Sequence, residues 1–195
     1  MKIFFDFDNT LVNTTAAFCE YAKWTFDDVC ISPFAVRQYD FSDQMKFSKD
    51  QLINAFSSDR LFEYLRPYTG VRNVLEQLQK TNLFEIYLVS NCSAESATKK
   101  LKWLHEFQFD RYFTGKIMLD INKPYDKSLI DMSGSIFVDD HKLNHASSNA
   151  NYKYAFVEAD TVRNWAPTEA DNVKIFKGWY TPIAKEWINI AENNK

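Results

Sequence analysis

The stretch Met1-Lys-Ile-Phe-Phe-Asp-Phe-Asp-Asn-Thr-Leu-Val12 decides how the chain reads. Ile3 to Phe5 is an apolar run without polar alternation, the pattern of a strand buried on both faces of a parallel sheet. It runs straight into Asp6, Phe7, Asp8, Asn9 and Thr10. In an open α/β sheet the ligand crevice lies beyond the carboxyl ends of the strands, where these residues fall. Side chains at i and i+2 of an extended segment point the same way, so Asp6 and Asp8 converge on one site. Two carboxylates so close repel unless a cation or a shared proton relieves them. The stretch is a candidate metal site or acid/base pair, set against the plainer reading of a surface turn.

Working outward, apolar runs at 85–89, 116–119, 135–138 and 154–157 read as further strands, with a short one at 173–176. Amphipathic helices lie between them, over 71–78 and 96–107, and a last helix begins at Thr181-Pro182. Strands alternating with helices imply βαβ units and a largely parallel sheet. Residues 14–66 differ. Thr14 or Thr15 suits a helix cap, Ser32-Pro33 a fresh helix start, and Ser48-Lys-Asp-Gln51 a capping box. The expected architecture is α/β, a three-layer Rossmann-like core of residues 1–13 and 67–195, with 14–66 as a small inserted helical cap.

The bulk numbers fit one domain with an appendage. The chain has 195 residues, 46% hydrophobic and 25% charged, an ordinary globular composition. Its 17 Phe, 10 Tyr and 5 Trp supply a dense core with aromatics to spare. A net charge of −3 gives no basic field for a polynucleotide or an anionic membrane. Cys19, Cys30 and Cys92 lack metal-type spacing, and no apolar run is long enough for a bilayer. Reduced thiols in a cytoplasm are the simplest account.

Three strands end in polar clusters: Asp6/Asp8, Ser90/Asn91 and Asp139/Asp140. A basic loop, Asn122-Lys123-Pro-Tyr-Asp-Lys127-Ser128, lies between the last two. If the strands are parallel, these groups share one rim. Clustered carboxylates suit a hard cation with oxygen ligands, Mg2+ before Zn2+. Ser90 and the amides after it can bind phosphate oxygens, and Lys127 or Lys123 can neutralise them. Phosphoryl transfer to Asp6, with Asp8 as acid/base partner, is then sensible chemistry.

Asp6-Phe-Asp-Asn-Thr10, Ser90, a lysine and Asp139-Asp140, in that order, resemble the four motifs of the haloacid dehalogenase superfamily phosphatases. The resemblance implies Asp6 as phosphorylated nucleophile and Asp8 as general acid/base. It implies Mg2+ held by Asp6, the Asp8 backbone carbonyl and Asp140, with Asp139 behind them, and a helical cap between the first two motifs. Asn9, Thr10, Ser90, Asn91 and the lysine become candidate phosphate contacts. A closer similarity, over residues 1–165, is to the 5′(3′)-deoxyribonucleotidases, through Leu61-Phe-Glu-Tyr-Leu-Arg-Pro-Tyr-Thr-Gly70, Lys102-Trp-Leu104 and Asp126-Lys-Ser-Leu129. The chain departs from that family at Asn9-Thr10, where Gly-Val is usual, and at His141, where Arg is frequent. Only fifteen residues, Pro124 to Val138, separate Lys123 from Asp139, which leaves little room for a helix and favours Lys127.

The expected function is a Mg2+-dependent phosphomonoesterase acting on (deoxy)nucleoside monophosphates through an aspartyl-phosphate. The alternatives are a sugar phosphate, another small phosphomonoester or a nucleic-acid phosphate end. A non-catalytic receiver would put its phosphoacceptor on the third strand and lack the insertion. The choice of nucleotide and the presence of a homodimer stay open. Several residues carry plainer expectations. Phe18, Phe26, Tyr39, Phe41, Phe47, Phe56, Phe62 and Tyr64 form the cap's own core, with one or two at most facing substrate. Arg60 and Arg66 are exposed, Cys92 is a buried inert thiol, and His105 and His145 lie at the surface. Lys99-Lys100-Leu-Lys102 reads as the solvated face of a helix.

Overall fold

The computed structural model describes residues 1–26, 30–40, 44, 48–121 and 127–194. Six parallel strands, β1 (Lys2–Phe5), β2 (Glu85–Cys92), β3 (Gly115–Asp120), β4 (Ile136–Asp139), β5 (Tyr152–Phe156) and β6 (Lys174–Phe176), form one sheet in the order β3-β2-β1-β4-β5-β6. The chain moves outward from β1 to β3, then returns to lay β4 on the other side of β1. Strand order reverses between β1 and β4, so the crevice opens at their carboxyl ends. Phe5 stands level with both Leu88 and Val138, which puts Asp6 beside Asp139 and one residue short of the height of Ser90.

Right-handed crossovers assign the faces. Ile3, Phe5, Ile86, Leu88, Ile136 and Val138 point into the larger cluster. There they meet α4 (Val71–Lys80), α5 (Ala94–Glu106) and α7 (Thr181–Asn193) through Val74, Leu78, Trp103, Leu104 and Trp187. Phe4, Val89 and Phe137 point the other way, into a smaller cluster with Met132 and Ala150. That layer is thin because a 3-10 turn, Lys127–Leu129, stands where a crossover helix would be, followed by short α6 (Lys142–Ser147).

Between β1 and β2 lie α1 (Thr14–Thr25), a 3-10 turn (Pro33–Ala35), α2 (Lys49–Phe56) and α3 (Asp59–Tyr64). Ser48 and Gln51 form the expected capping box. Ser32-Pro33 starts only the 3-10 turn. The α1 cap is Asn13, which accepts from Ala16 N at 2.9 Å. Thr14 and Thr15 are buried in the first turn, their hydroxyls committed to Asp8 and Asn9. The insertion is joined to α5 by a Lys99–Asp59 ion pair of 2.6 Å and by the Trp103 indole donating to Leu65 O. Phe18, packed on Tyr21 and Phe56, belongs to the large cluster that runs on from the insertion to the sheet; Phe41 and Phe47 lie outside the described residues. No helix among the described residues is long and apolar enough to cross a membrane.

Candidate active site

The β1 strand continues past Phe5 just far enough for Asp6 N to donate to Val138 O at 2.9 Å. Asn9 then takes the left-handed conformation, φ 52°, which Asn tolerates better than most residues. The chain folds back so that Leu11 N and Val12 N both donate to Phe7 O. Asn9 Oδ1 accepts from Thr15 N and Thr15 Oγ1, each at 2.9 Å, and Asp8 Oδ1 accepts from Thr14 Oγ1 at 2.8 Å. The tight turn holds both aspartates over the end of the sheet. Asn9 spends its carbonyl oxygen on α1, and Thr10 is fully buried.

Lys127 enters from the 3-10 turn with no exposed surface. Its ammonium donates to Asp6 Oδ1 at 2.7 Å, Asp139 Oδ2 at 2.8 Å and Val89 O at 3.2 Å. Burial opposes its charge, but Asp139 and Asp6 outweigh burial and hold the ammonium above the ordinary lysine range. Asp139, also fully buried, accepts from His141 N at 2.8 Å and from Asn144 Nδ2. Burial would raise its pKa; Lys127 and His145 pull it below the ordinary value. Asp6 goes the other way. Burial, with Asp139 and Asp8 adding to it against the pull of Lys127, pushes its carboxyl up to about 7. Asp140 is pushed well up by burial and by Asp139 and Asp6, although Trp165 Nε1 donates to its Oδ2 at 2.7 Å.

Asp6, Asp139 and Asp140 each offer an oxygen within 4.8 Å of the others. Among the described residues, four carboxylates, counting Asp8, face two ammonium groups at this rim. The two unbalanced negative charges, and the raised carboxyls of Asp6 and Asp140, are what a dication would relieve. A donor set of carboxylates alone suits a hard divalent cation.

The second ammonium is Lys100, and its position corrects the expectation of a solvated face. It is only 2% exposed, and Nζ donates to Ser90 Oγ at 2.8 Å while pairing closely with Asp8 Oδ2. Ser96, Lys100, Trp103 and Leu104 form the buried stripe of α5, whereas Leu101 is exposed. Steps of four and three residues from Ser96 through Lys100 to Trp103 and Leu104 are the signal that marks the lysine as inward-facing. His145 is a second correction. It is buried under β4, its Nε2 3.0 Å from Asp139 O, with its ring against Phe137. His105 is exposed, as expected, beside Asp110.

Ser90 is buried near the end of β2, two residues before Cys92 ends the strand, and Asn91 beside it is half-buried. Lys123 lies outside the described residues. Arg60 is exposed, and Arg66 turns back to Glu63 O and Leu65 O, with its guanidinium over the Phe107 ring. Burial raises the pKa of the Cys92 thiol, which suits an inert thiol.

A sequence model for the family described as "5′ nucleotidase, deoxy (Pyrimidine), cytosolic type C protein" matches residues 1–164. The chain belongs to this family. It is a hydrolase of nucleotidase type, and its fold is that of haloacid dehalogenase superfamily hydrolases. No curated protein matches the sequence. Solved structures share the fold. A predicted phosphatase from Clostridium acetobutylicum is 13% identical, with a TM-score of 0.66 over 96% of this chain and 98% of its own. A superfamily hydrolase of subfamily IA, variant 1, from Geobacter sulfurreducens is 14% identical, with a TM-score of 0.54 over 84% and 91%. A dehalogenase solved as an intermediate complex is 15% identical, with a TM-score of 0.58 over 97% and 96%. In this nucleotidase-family chain the buried Lys100 adds a second cation beside Lys127.

Proposed function

We propose that the chain is a Mg2+-dependent phosphomonoesterase that hydrolyses (deoxy)nucleoside monophosphates through an aspartyl-phosphate. The observation that carries this reading is Asp6, held at 2.7 Å by Lys127 within one oxygen cluster with Asp139 and Asp140. Asp6, Asp140 and the Asp8 carbonyl would hold Mg2+, with Asp139 behind them; the bound ion supplies charge that lets a phosphate dianion approach a carboxylate. Asp6 attacks phosphorus in line with the ester oxygen, and the bond to the leaving group breaks. Asp8 gives the departing oxygen its proton. Asp8 then takes a proton from water, which attacks phosphorus and releases phosphate and free Asp6. Ser90 and Lys100 present a hydroxyl and an ammonium beside Asp8, where phosphoryl oxygens would sit, and Lys127 keeps Asp6 oriented. We assign residues 14–66 the role of a cap over the leaving group.

The test is phosphate release with Mg2+ and with EDTA from dUMP, dTMP, dGMP, their ribose and 3′ counterparts and several sugar phosphates. Mg2+-dependent release favouring deoxynucleotides is expected. Release spread evenly over sugar phosphates would discard the nucleotide assignment, and no release from a folded chain would discard the phosphatase.

A further inference from the structure

Three consecutive residues after β5 tie the insertion to the Asp140 side of the rim. Arg163 donates to Thr15 Oγ1 at 2.6 Å and to Glu158 at 2.9 Å, fixing this loop against the start of α1. Asn164 N donates to Arg37 O at 2.8 Å, and Asn164 Oδ1 accepts from Tyr39 N at 3.2 Å. Trp165 is buried. Its indole donates to Asp140 Oδ2, and its carbonyl accepts from Lys142 N at 2.9 Å. The Tyr39 ring meets Trp165 edge-on at 5.7 Å and His141 at 4.6 Å. One aromatic contact and one hydrogen bond therefore separate the insertion from an oxygen of Asp140.

An indole N–H can only donate, so it orients a carboxylate without competing for a cation. With Oδ2 taken by the indole, the rotation of the Asp140 carboxylate is fixed and Oδ1 is left for a ligand. We propose that Trp165 is a positioning residue for Asp140, and that it holds this orientation only while residues 37–39 clasp the 163–165 loop. Docking of the insertion and binding of the metal are then one coupled event, and coupling between two equilibria is reciprocal. The inference rests on Asp140 being a metal carboxylate, as in the proposed function.

The experiment measures Mn2+ binding to the metal-free chain by electron paramagnetic resonance, for wild type, Trp165→Phe and Tyr39→Ala. Hydrogen exchange of residues 30–40 is followed with and without Mn2+. Removing a donor that orients a metal ligand weakens affinity by about 10- to 100-fold, the loss expected for Trp165→Phe. Tyr39 is half-exposed in the wild type and reaches Asp140 only through Trp165, so Tyr39→Ala keeps the test open if Trp165→Phe fails to fold. It should weaken Mn2+ binding about fivefold or more, the lower end of ordinary coupling. Mn2+ should slow exchange of residues 30–40 in the wild type and not in Tyr39→Ala. Wild-type Mn2+ affinity in both variants overturns the positioning role. Wild-type affinity in Tyr39→Ala, with exchange of 30–40 indifferent to Mn2+, overturns the coupling. A wild-type chain that binds no Mn2+ overturns the metal-dependent reading itself, an outcome distinct from both.

Discussion

Burying the Lys100 ammonium between Asp8 and Ser90 takes it out of water, and those two oxygens and the face of the Phe7 ring at 5.2 Å offset the loss. Such a contact between a buried lysine and a carboxylate at the rim is costly to keep unless the reaction uses it. Lys100→Met keeps the length and apolar stem of the side chain and deletes the charge. We expect kcat on a monophosphate to fall about 100-fold, the usual scale for losing one aimed donor at a reacting centre. Lys102→Met on the same helix, where the lysine is exposed beside Glu106, should leave kcat unchanged. Equal kinetics for the two variants would remove Lys100 from the site. Among single residues, Asp6, Asp8, Lys127 and Asp139-Asp140 were readable because they end apolar strands or follow a motif order. Lys100 was not, because a lysine among lysines reads as solvated until its neighbours four before and three after are seen to be buried. His145 was hidden for a related reason: its partner is a backbone carbonyl, which no side-chain pattern announces.

The strands and long helices were legible because burial on both faces leaves continuous apolar runs, and burial on one face leaves a period near 3.6. What the sequence could not convey was which short polar residue caps α1, since Asn13, Thr14 and Thr15 all qualify. Asn13 caps because both threonines are drawn to Asp8 and Asn9. The seam between β1 and the C-terminal elements was equally hidden. Trp179 Nε1 donates to Thr10 O at 3.1 Å, bracing the turn that carries Asp8. Gly70, which starts α4, lies against the same tryptophan's backbone at φ 92°, and a Cβ there would fall 1.9 Å from Trp179 O. Neither the left-handed backbone nor a fixed carbonyl can yield cheaply. Gly70→Ala should therefore destabilise the chain by at least about 2 kcal/mol, more than the left-handed penalty alone. At this chain length that lowers Tm by roughly 4–8 °C, read by thermal denaturation. A melting temperature equal to wild type would mean that α4 and Trp179 move apart freely.

At the scale of the whole molecule, the excess charge at the rim enters the folding equilibrium. In the metal-free chain the Asp6 carboxyl sits at about 7, against an ordinary value of 3.8, chiefly because it is buried and has Asp139 and Asp8 for neighbours. Between those two values the folded chain binds a proton that the unfolded chain does not, so stability falls as pH rises through the window. The stabilisation from Asp6 is fully present below about pH 4 and lost above about pH 7. Asp6→Asn removes this titration while Lys127 keeps Asp139 and Val89 O as partners. In EDTA at pH 8 the variant should melt above the wild type, and the gap should shrink steadily toward pH 5. Mg2+ at about one hundred times its dissociation constant adds about 2.7 kcal/mol to whichever form binds it. That is roughly 5–10 °C for a chain of this size, and it should appear in the wild type far more than in Asp6→Asn. Such a pair of curves would mean that the Asp6 carboxylate is kept at the expense of the metal-free fold, with the cation restoring what the carboxylate takes away. A variant that melts below the wild type at pH 8, by a margin indifferent to pH, would instead make Asp6 a structural partner of Lys127.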